Sequence, residues 1–274
     1  MQRSLQAIGA VVSPYYYIAR IRVLMAMEYR FDVFSSIAVQ VILMISTIYI
    51  WRTAFQNEGA VRGVTLQQMQ AYSVMSALLA TFWTARVADV VRDRVSQGQI
   101  STDLIRPTDP LFLWLAEDVG QAVCSLLTKG VPLLACGFLL VGAIGPASWQ
   151  AVLFFLPACV LSYLILWLMS ALVAMVAFWT IEFGHLNMVK DAMVGILSGS
   201  FVPLWFFPDW FARICGWLPF IYTYQGTLGI YVGKTQGWES ARVLGMQLAW
   251  VLGLGLWLVV LWKKARSKVL VQGG

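Results

Sequence analysis

The chain has 274 residues, 60% hydrophobic and only 12% charged, with a formal net charge of +6. Soluble domains carry about 25% charged residues, so too few polar side chains exist here to coat a water-facing surface, and an ordinary soluble domain is excluded. The 19 Lys and Arg do not imply a nucleic-acid partner, because in a chain dissolved in lipid they serve to fix orientation.

Residues 1–33 form a cytoplasmic N-terminal segment, whose apolar run before Pro14 is too short to span and lacks a signal-peptide cleavage site. Phe34–Trp51 is uncharged over 18 residues and long enough to cross a bilayer as span one. After a polar stretch, Ala71–Val90 reads as span two, with Arg86 and Asp89 near its end. The segment 91–110 is the most hydrophilic of the chain and belongs in water or against another protein. Leu111–Ile144 reads as one long helix with an amphipathic first half carrying Glu117, Asp118 and Lys129; its uncharged second half from Gly130 is span three. A Gly145-Pro146-Ala147 turn leads to span four, Gln150–Thr180. Glu182, His185, Lys190 and Asp191 mark a polar return before span five, Ala192–Phe207, where Gly195 and Gly199 stand at the spacing that lets helices approach. Pro203, Pro208 and Pro219 break any single helix over 201–238, and its 12 aromatic residues favour the headgroup level, so a re-entrant hairpin is expected there. Ala241–Trp262 is span six, stopped by Lys263–Lys268 within a basic tail, 263–274. The fold class is therefore an all-α polytopic membrane protein, with a six-helix transmembrane domain over 34–262.

With both ends on one side, twelve Lys and Arg flank the spans there, against Arg52, Arg62, Arg213 and Lys234 opposite. The positive-inside rule then puts both termini in the cytoplasm and the hairpin outside. Catalytic motifs are missing: no HExxH, GxSxG or Walker sequence occurs, and His185 is the single histidine. Cys124, Cys136, Cys159 and Cys215 have no metal-ligand spacing and read as small buried hydrophobes. Almost no ionisable residue falls at membrane depth, which argues against a proton-coupled carrier and for energy delivered mechanically from outside the membrane. Within 91–110, QISTDLIR can form a two-turn helix with Ser101 or Thr102 as N-cap and Ile100, Leu104 and Ile105 on one face. Such a helix suits a groove on a partner protein or the lipid headgroup layer.

RVSQGQISTDLIRPTDPLF, the FWT closing span four, and SGSFVPLWFFPDWFARICGWLPFIYTYQGTLGIYVG together resemble the ABC-2 type permeases over residues 15–265. The branch they resemble most is that of small six-span multidrug or viologen-type exporter permeases. The resemblance implies a bacterial plasma-membrane subunit that pairs with a second, identical or related permease and docks on cytoplasmic ABC ATPases. ATP and Mg would be bound by those partners, with no cofactor, metal or catalytic residue in this chain. By the same resemblance, Tyr15–Phe31 would be an interface helix, and Gln99, Ile100, Asp103, Leu104, Ile105 and Arg106 would form the coupling helix. Glu182 and His185 would make a second cytoplasmic contact; Pro203, Phe206, Phe207, Pro208 and Trp210 would gate the exit. The polar residues expected among the spans, Ser35, Ser36, Gln40, Tyr72 and Thr81, suit a hydrophobic or amphipathic cargo moved out by alternating access. Export of a polysaccharide or lipid-linked glycan, a membrane enzyme using His185 and Glu182, and a channel-forming bundle are the alternatives.

Overall fold

The computed structural model describes residues 30–56, 59–83, 85–105, 108–142, 145–180 and 184–272. The expected interface helix lies outside these but for its last two residues. The first element, α1, spans Arg30–Ala54. A small hairpin follows, β1 (Ala60–Val61) pairing antiparallel with β2 (Val64–Thr65). Its two-residue connection takes positive φ at both Arg62 (50°) and Gly63 (71°), as the twist of a tight hairpin requires. Thr65 then opens α2 (Leu66–Phe82) through a reciprocal capping box with Gln68. That cap is why the helix starts five residues before the expected Ala71.

The backbone breaks at Trp83 and resumes as α3 (Val87–Ser96), so helix reaches well into the stretch expected to be loop. Gly98, at φ 71°, reverses the chain into α4 (Ile100–Ile105). The helix expected in QISTDLIR is present, but it starts at Ile100, which puts Ser101 and Thr102 inside it rather than at its cap. The next helix is capped by Asp109, whose carboxylate accepts the Leu111 amide at 2.9 Å. It runs as α5 (Pro110–Ser125), a wide π turn (Leu126–Gly130) and α6 (Val131–Val141). Then come α7 (Trp149–Met175), capped by Ser148, and α8 (Gly184–Leu197). The segment 198–237 is broken by its prolines into the short helices α9 (Asp209–Cys215) and α10 (Gln225–Tyr231), with single 3-10 turns at Leu204–Phe206 and Phe220–Tyr222. The last helix, α11 (Trp238–Gln272), continues through Lys263–Lys268; the basic run ends the apolar stretch but not the helix.

Among the described residues, five helical stretches are long and apolar enough to cross a membrane: Val33–Ala54, Leu66–Ser96, Pro110–Val141, Trp149–Phe178 and Trp238–Lys268. The expected fifth span, Ala192–Phe207, is not among them. The 14 residues of α8 rise only about 21 Å, short of a hydrocarbon core about 30 Å thick. The helix ends because Gly199 adopts φ 77°. Gly195 and Gly199 therefore do not share a helix face, and Gly199 serves the reversal instead.

At the centre lies α7, packed against α11, α3 and α10, while α2 lies between α1 and α6. Close approach of α6 to α2 depends on glycine: a Cβ on Gly137 would fall 2.5 Å from Val74 Cγ1, and one on Gly130 would fall 2.9 Å from Leu78 Cδ1. The bundle has two distinct ends. At one end, the β-hairpin, the 198–237 segment and the start of α7 are joined by Arg62 to the Trp205 carbonyl (3.2 Å), Lys234 to the Arg62 carbonyl (2.8 Å) and the Ala147 amide to the Tyr231 carbonyl (3.0 Å). At the other end sit α3, α4 and the starts of α5 and α8. The Phe178 and Trp262 rings meet there at 5.9 Å, and Lys268 lies 5.8 Å from the Trp179 ring.

Candidate functional site

The charged end is organised around one guanidinium. Arg94 of α3 donates from Nη1 to Asp103 of α4 at 2.6 Å and from Nη2 to both carboxylate oxygens of Glu117 of α5, at 2.9 and 3.0 Å. These side chains retain 17%, 6% and 13% exposure, so the charges are largely removed from water and depend on each other. Beside Glu117, Asp118 is turned to the start of α3, accepting the amides of Arg86 (3.3 Å) and Val87 (3.1 Å). Since α3 has no side-chain cap of its own, α5 satisfies its free amides from outside. Two adjacent carboxylates thus bind α3 and α4 to the bundle. The sequence carried a sign of this: an acidic pair in an otherwise apolar helix must find partners if it is buried.

Of the expected coupling residues, Gln99 is exposed and its amide donates to the Arg94 carbonyl at 2.8 Å. Ile100 is buried in the main core and Asp103 is held in the clamp, whereas Ile105 is 85% exposed. Leu104 belongs to α4, with its side chain outside the described atoms; Arg106 and Glu182 fall outside the described residues. Ile100 and Ile105 do not share a face, because five residues turn a helix by about 140°. His185 lies exposed in the first turn of α8.

The expected gate residues lie together at the opposite end. Pro203 is buried and precedes the Leu204–Phe206 turn, Phe206 packs on Trp51 of α1 (ring centroids 5.0 Å), and Phe207 stacks on Phe211 (5.3 Å). Pro208 starts α9, and Trp210 is 61% exposed. The reversal before them is stitched to α2: Tyr72 donates to the Gly199 carbonyl at 2.7 Å and Ser76 to the Ser200 carbonyl at 2.6 Å. Tyr72 is therefore a buried strut. Thr81 and Ser36 bond their own helices, at the Leu78 and Val33 carbonyls. Of the polar residues offered above to a cargo, Gln40 lines a cavity.

That cavity, of about 420 Å³, lies between α1, α2, α7 and α8. Apolar walls from Leu43, Met44, Ala77, Leu166 and Val194 lead to a polar end with Asp89, Ser170, Asn187, Lys190 and Asp191. The sequence places Lys190 in a short polar return. It stands instead in α8 with its ammonium on Ser170 Oγ and 2.9 Å from Asp191, because α8 starts eight residues before the expected Ala192 and turns that face inward. Asp89 pairs with Arg92 at 3.3 Å and accepts from Asn187 Nδ2 at 3.4 Å. Trp83 Nε1 and Asn187 Oδ1, on two residues of the lining, are buried and have no hydrogen-bond partner among the described residues.

Four free cysteines are dispersed, and the described residues hold no cluster of three or more His, Cys, Asp or Glu arranged for a metal. Searches among curated proteins and solved structures give no match. The family model described as ABC-2 family transporter protein matches residues 41–273, from the middle of α1 through the end of α11 and across the clamp, the cavity and the broken segment. A multi-pass helical bundle of this pattern, matched over most of its length, belongs to the ABC-2 transporter family and is a permease subunit.

Proposed function

We propose that this chain is the permease subunit of an ATP-driven exporter of the bacterial plasma membrane, with both termini cytoplasmic and a hydrophobic or amphipathic substrate moved outward by alternating access. The observation that carries this reading is the clamp. A motor outside the membrane needs a stiff handle, and Arg94 ties α4 to the two helices that follow and precede it in the bundle. On that handle Ile105 stands exposed, an apolar contact for the groove of a partner ATPase that binds ATP and Mg. His185 of α8 and Glu182 supply a second contact on the same side.

The cavity is the substrate's place in this scheme. Its apolar walls suit a hydrocarbon or aromatic body, and Asp89, Asn187 and Lys190 at its other end suit a polar group. A sixth crossing is made by α8 together with the broken segment beyond it. Pro203, Phe206, Phe207, Pro208 and Trp210 then form the outward gate, and a second permease covers α1 and α8. The test is purification of the tagged chain from its host in mild detergent, with mass and identity of the intact complex. Two permeases with an ATPase pair are expected, and Ile105→Asp should lose the ATPases while leaving the permeases folded, since it places a charge in an apolar contact. A chain that never associates with an ATPase would refute the reading.

A further inference from the structure

On the side of the bundle away from the substrate cavity, α5, α7 and α11 enclose an apolar groove of about 400 Å³, a size typical of ligand sites. Phe112, Leu164 and Val259 are among its walls, and Gly255 leaves room in it, since a Cβ there would meet nothing within 4 Å. The groove ends in charge. Lys263 and Arg266, one helical turn apart on α11, line its mouth. Neither has a carboxylate at ion-pair distance among the described residues. The acid at that mouth, Asp109, has its carboxylate on the Leu111 amide. Lys268 of the same run is used differently, lying over Trp179.

We propose that this groove is a binding site for one anionic phospholipid, its acyl chain lying along the α5–α7–α11 walls and its phosphate held between Lys263 and Arg266. Charge complementarity selects the occupant: an apolar slot whose mouth carries two cations against one amide-bound carboxylate is net cationic and matches an anionic lipid, and basic pockets between spanning helices recognise such headgroups. The site requires only that the bundle lies in a bilayer, and it stands independently of what the permease transports.

The test uses the full chain, purified with mixed phosphatidylglycerol and phosphatidylcholine, and counts retained lipids by native mass spectrometry. The unaltered chain should keep one phosphatidylglycerol, favoured over phosphatidylcholine on the order of tenfold. Lys263→Gln with Arg266→Gln should abolish the preference while one lipid is still retained. Gly255→Leu should fill the slot and retain neither lipid, whereas Lys234→Gln at the other end should change nothing. Equal retention of both headgroups by the unaltered chain, or undiminished phosphatidylglycerol in Gly255→Leu, would overturn the proposal. So would disulfide cross-linking of Val259→Cys between two chains, which would make the groove an interface between copies.

Discussion

Arg94 serves carboxylates on two different helices with one planar group, and this is a task for which lysine is a poor replacement. A guanidinium offers one nitrogen, Nη2, to both oxygens of Glu117 and another, Nη1, to Asp103 at a fixed angle, whereas an ammonium is a point charge that cannot hold both in that geometry. Arg94→Ala removes the cation shared by buried Asp103 and part-buried Glu117 and should cost about 3 kcal/mol, the lower end for a broken buried pair. Arg94→Lys should fall between it and the unaltered protein. Thermal unfolding of the detergent-solubilised chain measures both, and an unchanged midpoint for Arg94→Ala would mean that the cluster contributes nothing net. The charges were readable in the sequence, and the pairing was not. Arg94 meets Asp103 because Gly98 reverses the chain between them, and it meets Glu117 because α5 returns alongside α3; both are properties of tertiary placement. Ile100 and Ile105 show the same limit in reverse, since apolar character alone did not tell the buried side of α4 from the exposed one.

At the scale of elements, the contact of α6 with α2 depends on a missing side chain. Gly137→Ala puts a methyl group 2.5 Å from Val74 Cγ1, and overpacking of this kind costs about 1–3 kcal/mol. The double variant Gly137→Ala with Val74→Ala should recover part of that loss, since it returns the volume. Thermal midpoints of the two single variants and the pair decide it, and strictly additive losses would contradict a direct steric clash. The long helices were legible because an uncharged run of 18 or more residues has few alternatives to crossing a bilayer. The short one, α8, was not. Its apolar continuation Ser198–Phe207 looks like span in composition, yet Gly199 and Pro203 divert the backbone, and Tyr72 and Ser76 of α2 receive the carbonyls so released. Helix starts were also displaced wherever a cap lay in a polar stretch, as Thr65 does for α2.

At the scale of the molecule, α1 and α11 are the least covered of the long helices. Ile42, Ile50 and Phe34 of α1 are exposed, as are Met188 and Ile196 of α8, and these two helices flank the cavity. A second permease seated there predicts that Ile42→Cys joins two chains under a thiol cross-linker in native membranes, while Leu252→Cys on α11 does not. Equal yields at both positions would place the partner elsewhere. Membrane residence and two dissimilar ends could be read from composition and charge alone, but the cavity could not, because Lys190 and Asn187 reach it only through the inward turn of α8. The π turn at Leu126–Gly130 carries a last consequence, one of phase. It takes up about one residue more than an α-turn, resetting the helix by about 100°. With that offset, Asp118, Gly130 and Gly137 fall on one line, which lies in turn against the Arg86–Val87 amides, Leu78 and Val74. Without it, the acid at one end and the glycine at the other would point a quarter-turn apart. The helix could then cap α3 or nest against α2, but not both.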